Sequence, residues 1–336
     1  METPRELGAE NRKAIFVGVF GKHPGWNDHI EENEEVPDLG LRTESLVWAK
    51  SLLYTQGIGR NIESGAWEKL PPEQVLEGFD HTFLWQRNGG FIAGSLWSSR
   101  DGKGRRLYPM VVSAHVTGVT LHWVLTVLFS RLVALQMECQ QVQTAREVGS
   151  ILSRAREDLA LALHGPSRSV PSTREFISRF ARHPQFGADQ EGLSRVLSRF
   201  QAQAVQFAPG RFNARNSAGS RGVAVRVPAA GLSKEDIFCA WSETLGGYLD
   251  FEAPLLLISP TGKNWMDVIV GEPSPEDLFC LRATLARLPS VSEIPFHVDE
   301  AKRKETRARI DGLIRGDTPA PSGSKLGRWL GSLFKA

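Results

Sequence analysis

The sequence predicts an α/β layered fold, and three stretches carry the prediction. The first runs from Phe83 to Val116, where apolar segments at Phe83–Trp85, Phe91–Trp97 and Tyr108–His115 are separated by turn residues. Arg87-Asn88-Gly89-Gly90 joins the first two, and Asn-Gly and Gly-Gly supply the positive φ angles of a two-residue hairpin turn. A polar, glycine-rich, basic loop, Ser98 to Arg106, joins the second and third. Val111, Val112 and Val116 give the third segment the β-branched content of a pleated, half-buried surface. The result is a three-stranded meander with one charged loop. A lone hairpin is marginal in water, so the meander belongs in the middle of a sheet. The second stretch, Ala14 to Phe20, is a continuous apolar run and reads as a central strand covered on both faces. The third is the alternation of strands and helices after residue 222.

The remaining elements follow from local signals. Gly21-Lys22-His23-Pro24-Gly25-Trp26-Asn27-Asp28 has the chemistry of a loop. An acidic segment, Glu31 to Glu35, precedes a helix over about Arg42–Gln56 that Gly57 stops. Residues 57–80 look irregular, with Trp67 as an anchor. Leu121, Val124, Leu125, Leu128, Leu132 and Leu135 trace one apolar face of a long helical pattern that reaches Leu163 and breaks near Val148-Gly149. Ser172-Thr173-Arg174-Glu175 is a capping box for a helix to Ala181, and another helix spans Leu193–Phe207. After the polar loop Phe212–Arg221 come a strand at Val223–Val227 and a helix capped by Ser233 that runs to Tyr248. Strands at Leu255–Ile258 and Trp265–Val270 pair across a Pro260-Thr261-Gly262 turn. Ser274 as N-cap, Pro275 and Asp277 open a last helix to Leu288.

Residues 14–298 read as one continuous α/β unit behind a disordered segment at 1–13. The charged run Asp299–Arg309 and a Gly/Pro/Ser linker to Ser324 form a flexible C-terminal tail. The tail ends in a short amphipathic segment. There Leu326, Trp329, Leu330, Leu333 and Phe334 fall on one helical stripe, with Lys325, Arg328 and Lys335 outside it. Such a helix either docks into a groove or onto an anionic surface, or folds back on its own domain. About eleven residues are too few to hold a helix alone.

Composition narrows the function classes. Apolar content of 41% and charged content of 23% are those of an ordinary globular chain. A net charge of +2, with basic residues interspersed, gives no nucleic-acid footprint. Cys139, Cys239 and Cys280 are widely spaced and form no Cys-x-x-Cys, which suits buried, reduced thiols in a cytoplasm and not a zinc cage. Residues 1–13 show no signal-peptide pattern, and Leu121–Met137 carries His122, Ser130 and Arg131, too polar an interruption for a membrane span.

Catalytic motifs fail on inspection. Gly18-Val19-Phe20-Gly21-Lys22 has the wrong glycine spacing for a phosphate loop, and His23 stands where a magnesium-binding Ser or Thr belongs. His23, Asp28 and His29 lack a third nearby His or Cys to complete a metal site. Gly94-Ser95-Leu96 is no nucleophile elbow. Ser99, Asp101 and His115 make no triad, because His115 falls on a strand. Cys139 lies inside an apolar helix as inert packing. The remaining cluster is Lys22 and Asp28 with Asp101, Arg105 and Arg106, in loops at the edge where an α/β sheet presents its function. Charge pairing there ties two loops or builds a partner surface, since nothing local predicts a base of perturbed pKa.

Those two loops carry a resemblance. Gly21-Lys22-His23-Pro24-Gly25-Trp26-Asn27-Asp28-His29-Ile30 is similar to the Gly-Lys-x-Pro-x-x-Gly-Asp-Phe opening of the TagF (ImpM) family, accessory proteins of bacterial type VI secretion. Gly94 to Met110, which holds Ser99, Asp101, Gly104, Arg105, Tyr108 and Pro109, resembles that family's Gly-Val-x-x-Pro-Ser-x-Asp-x-x-Gly-Arg-x-Phe-Pro-Leu signature. Asn27 replaces a Gly, Ser98 a Pro, and one extra residue lies between Arg105 and Tyr108. The resemblance covers residues 14 to about 290, with specific motifs only in the first hundred. It implies a three-layer αβα sandwich around a mixed sheet, no catalytic residues and no cofactor or metal. It also implies an accessory protein that restrains or assists secretion by protein–protein binding, with a forkhead-associated (FHA) scaffold protein as the expected partner. Lys22, Pro24, Trp26, Asp28, Ser99, Asp101, Gly104, Arg105, Tyr108 and Pro109 are then expected to structure the loops or face a partner. The competing expectations are a hydrolase using Asp28 and Asp101 at the same edge, and membrane recruitment through Lys325–Lys335.

Overall fold

Turn chemistry sets the centre of the fold. In this computed structural model Asn88 and Gly89 both take positive φ, 50° and 71°, and close a tight hairpin between β2 (Asp80–Arg87) and β3 (Gly90–Ser98). The structure describes residues 13–26, 39–163, 165, 178, 193–195, 197–198, 223–229, 233–248, 254–284 and 300–315. Asp28, the helix capped at Ser172, most of the helix expected at 193–207, the loop 212–221, and the linker and amphipathic segment beyond 315 lie outside the described residues.

Among the described residues the fold is mixed α/β, with seven strands, β1 (Ala14–Gly21), β2, β3, β4 (Pro109–Thr117), β5 (Val223–Pro228), β6 (Leu255–Pro260) and β7 (Trp265–Val270), in the order β1-β4-β3-β2-β6-β7-β5. A mixed sheet was the expectation; the strands β1–β4, β3–β4, β5–β7 and β6–β7 all pair antiparallel. The chain divides into two compact units. One comprises Met1–Ser51 with Trp85–Arg168, the other Leu52–Leu84 with Ser169–Ala336.

In the first unit β1 (Ala14–Gly21) pairs with β4 (Pro109–Thr117), which pairs in turn with β3. The apolar run of β1 therefore marks an edge strand, not the central one that its composition suggests. It is apolar because its outer side is covered. Val19 N donates to Leu39 O at 2.8 Å, Arg156 Nε donates to Val17 O, and a Cβ on Gly18 would lie 2.9 Å from Leu41 Cδ2. Covering an edge with a loop is one way to keep it from pairing with another chain. Helix α1 (Glu44–Ala49), capped by Thr43, brings Trp48 over Trp85 with ring centroids 4.1 Å apart, and Arg87 stacks on Trp48.

Helical backbone continues from α1 through a π-helical stretch, Lys50–Gly59, into α2 (Arg60–Glu63). Gly57 thus does not stop the helix. It permits close approach instead, since a Cβ there would meet Leu278, and its carbonyl accepts from Asn61 Nδ2 at 2.7 Å. Farther on, α3 (Leu121–Trp123), a π-helical stretch Val124–Leu128 and α4 (Phe129–Gln141) bury the predicted leucine stripe. The break before α5 (Ala145–Ala162) falls at Val142–Thr144, not near Gly149. Thr144 and Glu147 form a full capping box there, which satisfies helix-start donors that a break at Gly149 would leave open.

The second unit holds β5 (Val223–Pro228), α6 (Lys234–Tyr248), β6 (Leu255–Pro260) and β7 (Trp265–Val270), with β7 between the other two strands. Ser233 Oγ accepts from Asp236 N, as its N-cap position predicts. Ser274 does the reverse of its predicted capping: its N and Oγ both donate to Asp277 Oδ2, and the segment winds as a short 3₁₀ turn, Asp277–Leu281. The charged run after 299 forms α7 (Glu300–Arg315), with Thr306 and Ile310 buried. No helix among the described residues is long and apolar enough to cross a membrane.

Candidate functional site

Antiparallel register brings the two motif loops together. Gly21, the last residue of β1, pairs with Met110 at the start of β4, and Lys22 N extends the ladder by donating to Pro109 O at 3.0 Å. The loop leaving β1 and the loop entering β4 therefore share one rim of the first unit.

Asp101 organises that rim. Its Oδ2 accepts from Lys22 Nζ at 2.8 Å and from Arg105 Nε at 2.6 Å. Its Oδ1 accepts from the backbone N–H groups of Lys103 at 3.0 Å and Arg105 at 2.9 Å. A carboxylate offers about four lone-pair positions, so these four donors saturate it. Asp101 N donates to Arg105 O, Gly104 N to Asp101 O and Gly102 N to Trp26 O, which closes the loop and ties it to the first one. Gly104 makes this closure at φ 78°. The Asp101 side chain has no exposed surface and Lys22 is 2% exposed, whereas the Arg105 side chain is 53% exposed. Burial works against charge on Asp101, but the hydrogen bonds from Lys22 and Arg105 outweigh it and hold the carboxyl well below the usual range. The Lys22 ammonium also sits 5.4 Å from the centre of the Tyr108 ring.

The first loop has its own anchor. His23 is buried and stacked on Trp26 with centroids 4.6 Å apart. Its Nδ1 accepts from Gly25 N at 3.0 Å and its Nε2 lies 3.3 Å from Cys139 O, which joins the loop to the corner between α4 and α5. Burial pushes the His23 pKa down, partly offset by the carbonyls of Cys139 and Val142 and by Glu147. Gly25 packs on the same corner, where a Cβ would lie 2.6 Å from the Thr144 carbonyl carbon. Trp26 Nε1 donates back to Gly21 O at 2.8 Å.

Of the residues that the sequence singles out, Lys22, Trp26, Asp101, Gly104, Arg105, Tyr108 and Pro109 meet at this rim. Pro24 lies in the turn between His23 and Trp26, and half-buried Ser99 leads out of β3. Arg106 is exposed. The possible metal pair of His23 and His29 loses His23, both of whose ring nitrogens face other groups. Among the described residues no three His, Cys, Asp or Glu side chains are grouped to hold a metal ion. Cys139 is buried and its thiol is pushed up to about 12 by that burial.

Sequence reasoning missed two features. The Thr144-Ala145-Arg146-Glu147 box, legible by its spacing, builds the corner on which His23 rests. The second is a charged pair in the other unit, with Asp267 buried and Arg226 nearly so. Arg226 and Asp267, cross-strand partners on β5 and β7, form two parallel bonds of 2.8 and 3.0 Å, and Arg226 donates further to the carbonyls of Ala283 and Thr284. Burial works against the Arg226 charge, but Asp267 outweighs it and holds the guanidinium in its charged form. No spacing rule links residues 41 apart. Neither a scan against protein-family models nor a search of curated proteins finds a match for this chain.

Proposed function

We propose that this chain is a protein-binding regulator of the TagF (ImpM) kind, an accessory protein of a bacterial type VI secretion system that works in the cytoplasm through an FHA-domain scaffold. The proposal extends to the family's three-layer αβα sandwich and, independently of the family, to a flexible C-terminal tail beyond α7. It rests on the two loop motifs, which lie far apart in sequence and meet through Lys22, Asp101 and Arg105.

The observation that carries a binding role over a catalytic one is the state of Asp101. A general base needs a free lone pair and a pKa near the working pH. Asp101 has four donors on its two oxygens, no exposed side-chain surface, and a carboxyl held well below the usual range. Such a group builds a loop and leaves no lone pair to take a proton, which weighs against the hydrolase built on Asp28 and Asp101.

The test is capture of the FHA-domain scaffold from the same secretion cluster by the full chain. The parent protein should retain the scaffold, and Asp28→Ala or Arg105→Ala should weaken retention. Undiminished capture by variants that melt like the parent would remove the rim from the binding surface; no capture by the parent would remove the FHA partner.

A further inference from the structure

Between Ser99 and Pro109 the chain leaves the sheet and returns. Arg100, Gly102, Lys103, Gly104, Arg105, Arg106 and Leu107 are all exposed, Leu107 by 59%. The stretch has one acidic residue, Asp101, and that residue is buried and bound to Lys22 and Arg105. Arg100 and Arg106 therefore face water with no other carboxylate on their own loop, and Arg105 is exposed beyond its bond to Asp101. A large apolar side chain stands in their midst. Exposed single leucines are common, but this one sits on a loop whose backbone is fixed by five hydrogen bonds, at Asp101 N, Gly102 N, Lys103 N, Gly104 N and Arg105 N.

We infer that the 100–107 loop is a preformed knob for an acidic protein surface, with Leu107 entering an apolar recess and Arg100 and Arg106 meeting carboxylates around it. This deepens the binding role proposed above and rests on it. Charge complementarity sets the partner's sign and speeds encounter. The buried Lys22–Asp101 pair fixes the loop before binding, so little ordering entropy is lost on docking. A nucleic acid would also answer to the charge, but it makes no use of an exposed leucine, and no aromatic side chain stands among the exposed residues 100–107 to stack on bases.

Two measurements on the full chain test it. In the first, fluorescence anisotropy follows binding of two labelled peptides, one of glutamates only and one of glutamates flanking a single phenylalanine, with a single-stranded oligothymidylate as a third probe. The phenylalanine peptide should bind tightest and weaken as salt rises. Arg106→Glu should weaken it about tenfold, one attraction having become one repulsion of similar size. Leu107→Asp should abolish the preference for the phenylalanine peptide, with melting curves of both variants unchanged. Equal binding by parent and variants, no preference between the two peptides, or tighter binding of the oligothymidylate would overturn the inference. The second measurement repeats the scaffold capture with the same variants. Full capture by Arg106→Glu and Leu107→Asp sinks the knob and leaves the FHA reading standing. Failure of the parent to capture, with the peptide preference intact, sinks the FHA reading alone.

Discussion

Replacing Asp101 with alanine removes the carboxylate 2.8 Å from the Lys22 ammonium, which is only 2% exposed. Breaking a buried pair from one side costs about 3–5 kcal/mol, because the remaining charge stays desolvated. Arg105 adds little to that figure, since at 53% exposure water can replace the carboxylate. For a chain of this size, about 2–4 °C per kcal/mol makes a fall in melting midpoint of roughly 6–20 °C. The loop reports the same event locally. Arg100, Lys103, Arg105 and Arg106 are trypsin sites, and Asp101 holds the backbone N–H groups of Lys103 and Arg105. Limited trypsinolysis of Asp101→Ala, read by mass spectrometry, should show cleavage at these sites before cleavage elsewhere in the chain. A paired variant separates charge from shape: Lys22→Met with Asp101→Leu removes both charges and should recover much of the lost midpoint. If Asp101→Ala melts with the parent and resists trypsin equally, Asp101 does not hold the rim.

Three further outcomes are expected. The His23 pKa lies below its ordinary value, so the unfolded chain takes up protons that the native one refuses; stability is full above about pH 6.5 and falls below it. Urea melts at pH 8 and pH 5 should show a smaller difference in His23→Gln than in the parent, although buried His81, at about 3, keeps part of the slope. Gly25→Ala should lower the midpoint because its Cβ collides with the Thr144 backbone, while Gly149→Ala, inside α5 with nothing within 4 Å of the added Cβ, should raise stability by up to about 1 kcal/mol. Asp267→Ala should cost about 3–5 kcal/mol, Arg226, only 10% exposed, having lost both bonds to its partner, and denaturant titration should show this as a lower midpoint.

Much of the fold was legible because its signals are local. The Asn88-Gly89 turn, the β-branched run in β4, the Ser233 cap and the β6–β7 hairpin each depend on residues a few positions apart. The errors lie where a second segment decides. β1 has the composition of a central strand because the 39–41 backbone and Arg156 cover its edge, and neither is adjacent in sequence. Gly57 looks like a helix stop, yet its lack of a side chain serves contact with Leu278. The break before α5 is a different kind of miss. Glycine inside a helix costs only about 1 kcal/mol, so Gly149 could be carried, whereas the Thr144–Glu147 box rewards a helix start directly.

At the candidate site the sequence showed which charges are present but not which are buried, and burial assigns their roles. Read as a string, Lys22, Asp101, Lys103, Arg105 and Arg106 are five exposed groups of mixed sign. In the fold the sheet register lowers Lys22 beneath the returning loop, where it draws Asp101 inward and out of solvent. One ion pair thereby does two things at once. It satisfies the loop's backbone N–H groups through the other oxygen of the carboxylate, and it takes the loop's one acidic group out of solvent. A lone lysine at position 22 would carry a desolvation cost, and a lone aspartate at 101 would lie among the cations that face outward. The pair makes both positions tenable, and Arg100 and Arg106, beside the exposed Leu107, have no other carboxylate on their own loop.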